Sequence, residues 1–204
     1  MTSYALVSPV RNEQATLGAV GLTLYKQTVP PDEWVIVDDH SVDDTWEMAQ
    51  ELVRLLPFAR AIRSPLPADD DVNSGAVRAR DVYAFEAGVE NFTGSYDFVG
   101  KLDGDVALIS DYYERLLERF DADPTLGVAG GVCYENGSPV AVTTQGSVRG
   151  AARLYRWDCW ERVTPLDKHL GWDGIDLVRA HLAGYTTESF AIPFDHLRPA
   201  GTRR

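Results

Sequence analysis

The chain has 204 residues, a formal net charge of −12 at pH 7 and 25% charged residues. This length fits one domain with a sizeable core, and the composition is that of a globular protein rather than a disordered one. The negative charge argues against a nucleic-acid binder, which presents a basic face. An acidic chain can hold a phosphorylated ligand only where local cations or a bound metal reverse the field at the site.

Cysteine content and the N-terminus indicate the compartment. Cys133 and Cys159 are the only cysteines and form no CxxC pair, so we expect neither a disulfide framework nor a zinc site. Residues 1–10 lack the basic start and apolar run of an export signal. No stretch reaches the roughly 18 apolar residues that cross a bilayer. We therefore expect a cytoplasmic protein.

The first half of the chain alternates short apolar runs with amphipathic stretches, which predicts a parallel α/β sheet. The predicted strands cover residues 4–8, 34–37, 60–63 and 97–102. Helices are predicted over 13–27, after 44, over 75–89 and over 111–120, with a loop over 65–73. Asp44 and Glu47 have the spacing of a capping box at the start of the second helix.

The second half is less regular. We predict a strand over 127–134, helices over 155–163 and 175–183, and an extended stretch over 186–194. Lys101, Arg153 and Arg156 could contact phosphate, but we expect them to lie on the solvated surface. The whole chain reads as one domain with two roles.

Three polar clusters follow predicted strands. They are PVRNE at residues 9–13, DDHSVDD at 38–44 and DGD at 103–105. In an open parallel sheet, ligands bind beyond the carboxyl ends of the strands. Any one cluster could be a polar loop, but all three should converge at one edge of the sheet. The sequence therefore predicts a ligand site at that edge.

In this order, PVRNE, VDDHSVDDT and LDGDV resemble the N-terminal signatures of family 2 glycosyltransferases, and GWDGIDLVRAHLAGY resembles that family's acceptor-side motif. The resemblance covers nearly the whole chain. It implies the GT-A fold, an α/β architecture with a Rossmann-like, mostly parallel central sheet flanked by helices and an irregular C-terminal acceptor half. It further implies a single domain over 1–204, with a nucleotide-sugar-binding half (1–106) and an acceptor-binding half (107–204).

The implied function is transfer of a sugar, with inversion, from a UDP- or GDP-linked donor to a saccharide or lipid-linked acceptor with a divalent metal. A lipid-linked acceptor would place the protein peripherally at the inner face of the membrane. The alternatives are a non-catalytic nucleotide-sugar-binding protein, a fragment of a larger transferase, or a phosphatase that uses Asp-x-Asp after a strand.

Asp103 and Asp105 are the candidate metal ligands. Two carboxylates one residue apart at a strand end can coordinate Mg²⁺ or Mn²⁺, although Asp-Gly is also a common turn. The resemblance implies that Asp105 ligates the metal directly and that Asp103, beside Gly104, contacts ribose or bound water. It also implies that His196 completes the metal shell and that Arg198 holds the diphosphate.

Asp39 is the candidate base-recognition residue, because a carboxylate at a strand end can accept hydrogen bonds from a base N–H. The resemblance places Asp39 in that role, with Val37 backing the base and Asp38 close by. The alternative for such a carboxylate is helix capping, which we assign to Asp43 or Asp44.

The residues after the first strand are further candidates for nucleotide-sugar binding. The resemblance implies that Pro9 and Arg11 line the nucleotide, and that Glu13 contacts its base or ribose. Asn12 and Glu13 could equally be the cap and the first-turn acid of the following helix.

Asp173 and Asp176 are the candidate catalytic residues, since inverting transfer needs a carboxylate to deprotonate the acceptor hydroxyl. The resemblance expects a Glu-Asp pair where this chain has Asp173 and Gly174, so the usual base position is glycine. We favour Asp173 and keep Asp176 as the alternative, although Asp176 could also be a first-turn helix acid.

Overall fold

The computed structural model describes residues 2–68, 79–141, 146–169 and 171–198. Within these ranges nine strands form one mixed sheet. The strands are β1 (Tyr4–Val10), β2 (Glu33–Asp38), β3 (Ala59–Arg63), β4 (Phe98–Leu102), β5 (Val106–Leu108), β6 (Leu126–Glu135), β7 (Ser138–Pro139), β8 (Ala152–Arg156) and β9 (Thr186–His196). Their order across the sheet is β3-β2-β1-β4-β8-β6-β9-β5, with β7 paired to β6.

Most long strands run in one direction. β1 pairs in parallel with β2 and β4, β2 with β3, and β6 with β9. β8 lies between β4 and β6 and is antiparallel to both, so β6 and β9 regain the direction of β4. β5 is antiparallel to β9. The carboxyl ends of β1, β2, β4, β6 and β9 therefore meet at one edge.

Helices cover both faces of the sheet. They are α1 (Leu17–Tyr25), α2 (Thr45–Leu55), α3 (Arg80–Glu90), α4 (Tyr112–Ala122), α5 (Trp157–Val163) and α6 (Trp172–Leu182). Because neighbouring strand residues point to opposite faces, Leu6 of β1 packs in a cluster with α1, α2 and α4. Val7 packs in a second cluster with α3, α5 and α6. Two apolar layers thus bury β1 and β2 on both sides.

The predicted strands of the first half are confirmed, with β4 directly beside β1. The first helix begins later than predicted, at Leu17 rather than residue 13. The predicted capping box is wrong, because Asp44 makes no side-chain cap. Asp43 performs that role, as its Oδ1 accepts a hydrogen bond from Thr45 N at 3.1 Å. Residues 69–73 of the predicted loop and 75–78 of the predicted third helix lie outside the described residues.

The second half is more regular than predicted, since it adds strands β5 to β9 to the same sheet. The helix predicted over 155–163 is wrong at its start, because Tyr155 belongs to β8 and α5 begins at Trp157. Four of the five β8 residues are buried between β4 and β6. Of the helices in the described ranges, not one is long and apolar enough to cross a membrane.

Candidate active site

The loops after β1 and β2 are tied together by Asn12. Its backbone N–H donates to Ser41 Oγ at 3.0 Å, and its side-chain Oδ1 accepts from Val42 N at 2.9 Å. Asn12 adopts a φ of 57°, in the left-handed region that asparagine tolerates better than most residues. Asn12 is therefore a structural link between the two loops, and it lies at the predicted edge.

Asp39 follows β2 and is 5% exposed. Arg80, the first residue of α3, donates from Nε to Oδ2 and from Nη2 to Oδ1, each at 2.5 Å. Arg11 adds a second cation, with Nη1 3.6 Å from Oδ2. A bidentate guanidinium fixes the plane of a carboxylate, so Asp39 is oriented before a ligand arrives.

Asp38 ends β2 and is fully buried. Its Oδ2 pairs with Arg63 of β3, and Oδ1 has no hydrogen-bond partner among the described residues. In the register between β1 and β2, Pro9 lies opposite Val37 and Val10 opposite Asp38. Pro9, Val37 and Asp38 therefore lie side by side at the carboxyl edge, as predicted.

Asp103 pairs with Lys101, which precedes it on the same face of β4. Burial raises the pKa of Asp103; Lys101 opposes this rise, and the nearby carboxylates of Asp105 and Asp81 add to it. Lys101 is 2% exposed and its Nζ lies 5.7 Å from the centre of the Trp172 ring. The expectation that Lys101 lies on the surface is wrong.

Asp105 is held by two residues at the end of β9. His196 Nε2 lies 3.2 Å from Oδ1, and Arg198 Nε lies 3.2 Å from Oδ2. Arg198 also pairs with Glu13, which brings the loop after β1 into the same network. Burial would raise the pKa of Asp105, but His196 and Arg198 outweigh it, and the net pKa is below its ordinary value.

Glu13 lies inside the site rather than in a helix. Glu13 precedes α1, and the first turn of that helix contains no acid. The predicted alternative role of Glu13 as a first-turn acid is therefore wrong. Thr16 Oγ1 donates to Oε2 at 2.8 Å, and Oε1 pairs with Arg198. Burial raises the pKa of Glu13 and Asp105 adds to the rise, while Thr16 and Arg198 oppose it.

Gly104 allows the Asp103–Asp105 turn to approach the loop after β1. A Cβ atom at this position would lie 2.8 Å from Val10 Cγ1 and 3.0 Å from Glu13 Cγ. Contacts under 3.0 Å force a neighbour to move. A side chain at residue 104 would therefore push the Asp103–Asp105 turn away from Val10 and Glu13.

Asp103, Asp105 and His196 form a candidate metal centre. One ligand atom from each of the three lies within 4.8 Å of the others. Two carboxylates and an imidazole are ligands that Mn²⁺ and Mg²⁺ sites accept, the imidazole favouring the transition metal. The hydrogen bond to Asp105 raises the pKa of His196, burial lowers it, and Glu135, 3.5 Å from Nδ1, adds to the rise. A metal ion coordinated at Nε2 would displace the proton that the contact with Asp105 favours at that nitrogen.

Asp173 and Asp176 lie on α6 in different environments. Asp173 is exposed in the first turn, next to Trp172, which packs under Lys101. Asp176 is 2% exposed and is bound by Arg153 Nη1 at 2.5 Å and by the Tyr155 hydroxyl at 2.6 Å. The two carboxylates thus differ in access to a substrate, and Asp176 is part of a buried ion pair.

Arg153 and Arg156 also differ from expectation. Arg153 is 1% exposed. Arg156 donates to the backbone carbonyls of Leu126 and Phe120. Arg153 is thus buried and Arg156 half-buried, and both guanidiniums bind backbone carbonyls of the fold.

The sequence interpretation missed Arg80 and Lys101 as partners of Asp39 and Asp103. Lys101 had a detectable signal, because residues two apart on a strand share a face. Arg80 had none, since it is 41 positions from Asp39. The three polar clusters do converge, and Glu13, Asp105 and Arg198 are in direct contact.

The class of protein follows from this arrangement together with the comparisons. The chain matches the family described as Glycosyl transferase family 2 over residues 5–168, and it belongs to that family. Its single, mostly parallel sheet, covered by helices on both faces, has the GT-A fold. No curated protein sequence matches the chain.

Among solved structures, the chain is similar to the mannosyltransferase PcManGT from Pyrobaculum calidifontis in complex with GDP-Man and Mn²⁺. The identity is 16%, the TM-score is 0.74, and the match covers 98% of this chain and 58% of that one. TarS 1–349 from S. aureus in complex with UDP matches with 15% identity and a TM-score of 0.74, over 95% of this chain and 60% of that one. The complex of the same protein with UDP-GlcNAc gives 16% identity and a TM-score of 0.72, over 98% and 60%. This chain therefore spans about three fifths of these proteins' length.

Proposed function

We propose that this domain transfers a sugar from a nucleotide diphosphate donor to an acceptor hydroxyl, with inversion, and that Asp103, Asp105 and His196 hold the divalent cation. The observation that carries the proposal is the approach of these three ligand atoms to within 4.8 Å at the edge where Asp39 also lies. A cation bound there would neutralise the donor diphosphate and stabilise the leaving nucleotide.

The nucleotide has a complementary surface beside this centre. Asp39, oriented by Arg80, can accept hydrogen bonds from the base, with Pro9 and Val37 behind it. Arg198 lies between Glu13 and Asp105 and offers its guanidinium to the diphosphate. The complexes of similar structures with GDP-Man, UDP and UDP-GlcNAc support a donor of this class.

Asp173 is the proposed base. It is exposed at the start of α6, and Trp172 beside it packs under Lys101, the partner of Asp103. The acceptor hydroxyl would thus meet a carboxylate close to the metal centre. Asp176, already bound to Arg153 and Tyr155, is the weaker candidate because it would have to break a buried ion pair to act.

The two halves of the domain are proposed to bind different substrates. Residues 1–106 hold the donor with the help of His196 and Arg198, and the rest of 107–204 holds the acceptor, which is a saccharide or a lipid-linked saccharide. A lipid-linked acceptor would bring a cytoplasmic domain to the inner face of the membrane.

Calorimetric titration with UDP and with GDP, each with and without Mn²⁺, tests the proposal. We expect metal-dependent binding of one nucleotide to the wild type and loss of that dependence in Asp105→Ala. Asp111→Ala is the matched control, since the Asp111 side chain is 44% exposed and its carboxylate lies 3.9 Å from Arg115, on the surface.

Two outcomes would count against the proposal. If neither nucleotide binds with or without Mn²⁺, the proposed donor site is refuted. If Asp105→Ala keeps metal-dependent binding, the assignment of the metal ligands is refuted. For catalysis, Asp173→Asn should keep nucleotide binding and lose transfer, whereas a non-catalytic binding protein would show no transfer in the wild type.

A further inference from the structure

A small cavity of about 130 Å³ lies against β6 and β9, outside the donor site. Its walls are Gly131, Cys133, Val140, Ala141, Ser147, Arg149 and Ser189. A water molecule occupies about 30 Å³ in the liquid, so the space suits a group of roughly four water-sized atoms. A carboxylate or a phosphate has that size.

Arg149 lines this cavity with an unpaired guanidinium nitrogen. Its Nη1 is buried and has no hydrogen-bond partner among the described residues. A buried guanidinium N–H without an acceptor costs free energy, which an oxyanion ligand would recover. The Ser189 hydroxyl on the same wall is already engaged, since its Oγ donates to the Ser147 carbonyl at 2.7 Å.

Carboxylates as well as Arg149 act on Cys133 at the wall of this cavity. Burial raises the pKa of the Cys133 thiol; Arg149 opposes the rise, and Glu135, Asp195 and Asp105 add to it. Glu135 faces His196 at 3.5 Å, and Asp105 is bound by His196 and Arg198.

The cavity adjoins the metal centre through β9. Cys133 pairs in register with Phe194, two residues before His196, and Glu135 of the same β6 contacts the His196 ring. A group bound at Arg149 would therefore belong to a ligand that approaches the centre from the C-terminal half of the domain. In the proposed reaction, that ligand is the acceptor.

We propose that the cavity binds the oxyanion of an acidic acceptor, a sugar that carries a carboxylate or a phosphate, with Arg149 as its counter-ion. This inference rests on the proposed transfer function for the identity of the ligand as acceptor. The planar guanidinium fork matches either anion through two parallel N–H donors. Arg149 would thus select acidic over neutral acceptors.

The test follows the backbone amide signals of Gly131, Ser147 and Ser189 by NMR in the ¹⁵N-labelled full chain. The probes are glucuronate, glucose 1-phosphate and glucose. We expect saturable shifts with a charged sugar, at an affinity at least roughly tenfold above that for glucose, as loss of a charge-assisted hydrogen bond implies. The tighter of the two charged probes identifies the anion.

Arg149→Gln should abolish this preference for a charged sugar, whereas the control Arg54→Gln, in an exposed pair with Glu51, should keep it. Two results with the wild type alone would overturn the proposal: equal responses to glucose and to both charged sugars, or no cavity response. An unchanged preference in Arg149→Gln would overturn it as well.

The same spectra separate this inference from the proposed function. Asp105→Ala should lose metal-dependent nucleotide binding while the cavity signals still respond to the charged sugar. If the wild-type cavity responds but the protein binds neither UDP nor GDP, the acceptor role is refuted and the cavity is an anion site without that role.

Discussion

Arg80 holds both carboxylate oxygens of Asp39, through Nε and Nη2, each at 2.5 Å. The pair joins the end of β2 to the first residue of α3 and lies beside Arg11, whose Nη1 is 3.6 Å from Asp39. Both partners are largely buried, with side-chain exposures of 10% and 7%. Orientation of Asp39 therefore depends on how α3 is seated against the sheet.

Arg80→Lys should weaken nucleotide binding about tenfold, or about 1.4 kcal/mol, because lysine cannot supply the two parallel donors that fix the Asp39 plane. Calorimetric titration with the nucleotide that the wild type binds measures the change. Arg54→Lys, on the exposed surface, should bind like the wild type. Equal affinity in Arg80→Lys would contradict the orienting role.

Gly88→Ala should destabilise the fold, although alanine favours helix by about 1 kcal/mol over glycine. A Cβ at Gly88 of α3 would lie 2.3 Å from Val7 Cγ1 and 3.0 Å from Val37 Cγ2, both in the packed core. Overpacking of this kind costs about 1–3 kcal/mol and should exceed the propensity gain.

Urea denaturation measures the Gly88 effect, and nucleotide affinity should fall with it because α3 carries Arg80. Gly174→Ala is the control, since a Cβ at this α6 position meets nothing within 4 Å. A stabilised Gly88→Ala protein would show that α3 can shift freely on the sheet.

Asp176→Ala should lower the free energy of unfolding by about 3–5 kcal/mol, because it leaves Arg153 buried without its carboxylate partner. Asp173→Ala, on the exposed first turn of the same helix, should change it by less than about 0.5 kcal/mol. Chemical denaturation of the two variants side by side decides the point. Similar stability losses would mean that Asp176 is not a structural anchor.

Glu33 should make stability depend on pH in the acidic range. Burial alone would raise its pKa, but hydrogen bonds from Arg60, Thr93 and Tyr96 lower the pKa below its ordinary value of 4.5. The unfolded chain then binds the proton more tightly, so the stabilisation is present above pH 4.5 and is lost as the pH falls through the folded pKa.

Glu33→Gln should therefore be less stable than the wild type at pH 7, and the gap should narrow as the pH falls below 4.5. Thermal unfolding at several pH values gives the comparison, with the exposed Glu51→Gln as control. A gap that stays constant from pH 7 to the acidic range would show that Glu33 does not carry this dependence.

The strands of the donor half could be predicted because their signal is local. β2 is buried throughout and apolar over residues 34–37, as a strand covered on both faces requires, and Asp38 and Asp39 follow this apolar run directly. β8 could not be predicted in this way. Its residues include Leu154 and Arg153, which suit a helix equally well, and only its position between β4 and β6 makes it a strand.

The order of PVRNE, DDHSVDD and DGD, each after a strand, by itself predicted the sheet edge and the candidate ligands Asp103 and Asp105, while the family and His196 came from the resemblance that these motifs and GWDGIDLVRAHLAGY carry. Only the tertiary structure decided what each carboxylate contacts: Arg80 for Asp39, Lys101 for Asp103, and Arg198 for both Glu13 and Asp105. It also distinguished Asp173 in solvent from Asp176 against Arg153. The reason is that strand and helix periodicity is set by neighbours along the chain. The Glu13–Arg198 pair instead spans 185 positions and exists only once β9 has joined the sheet.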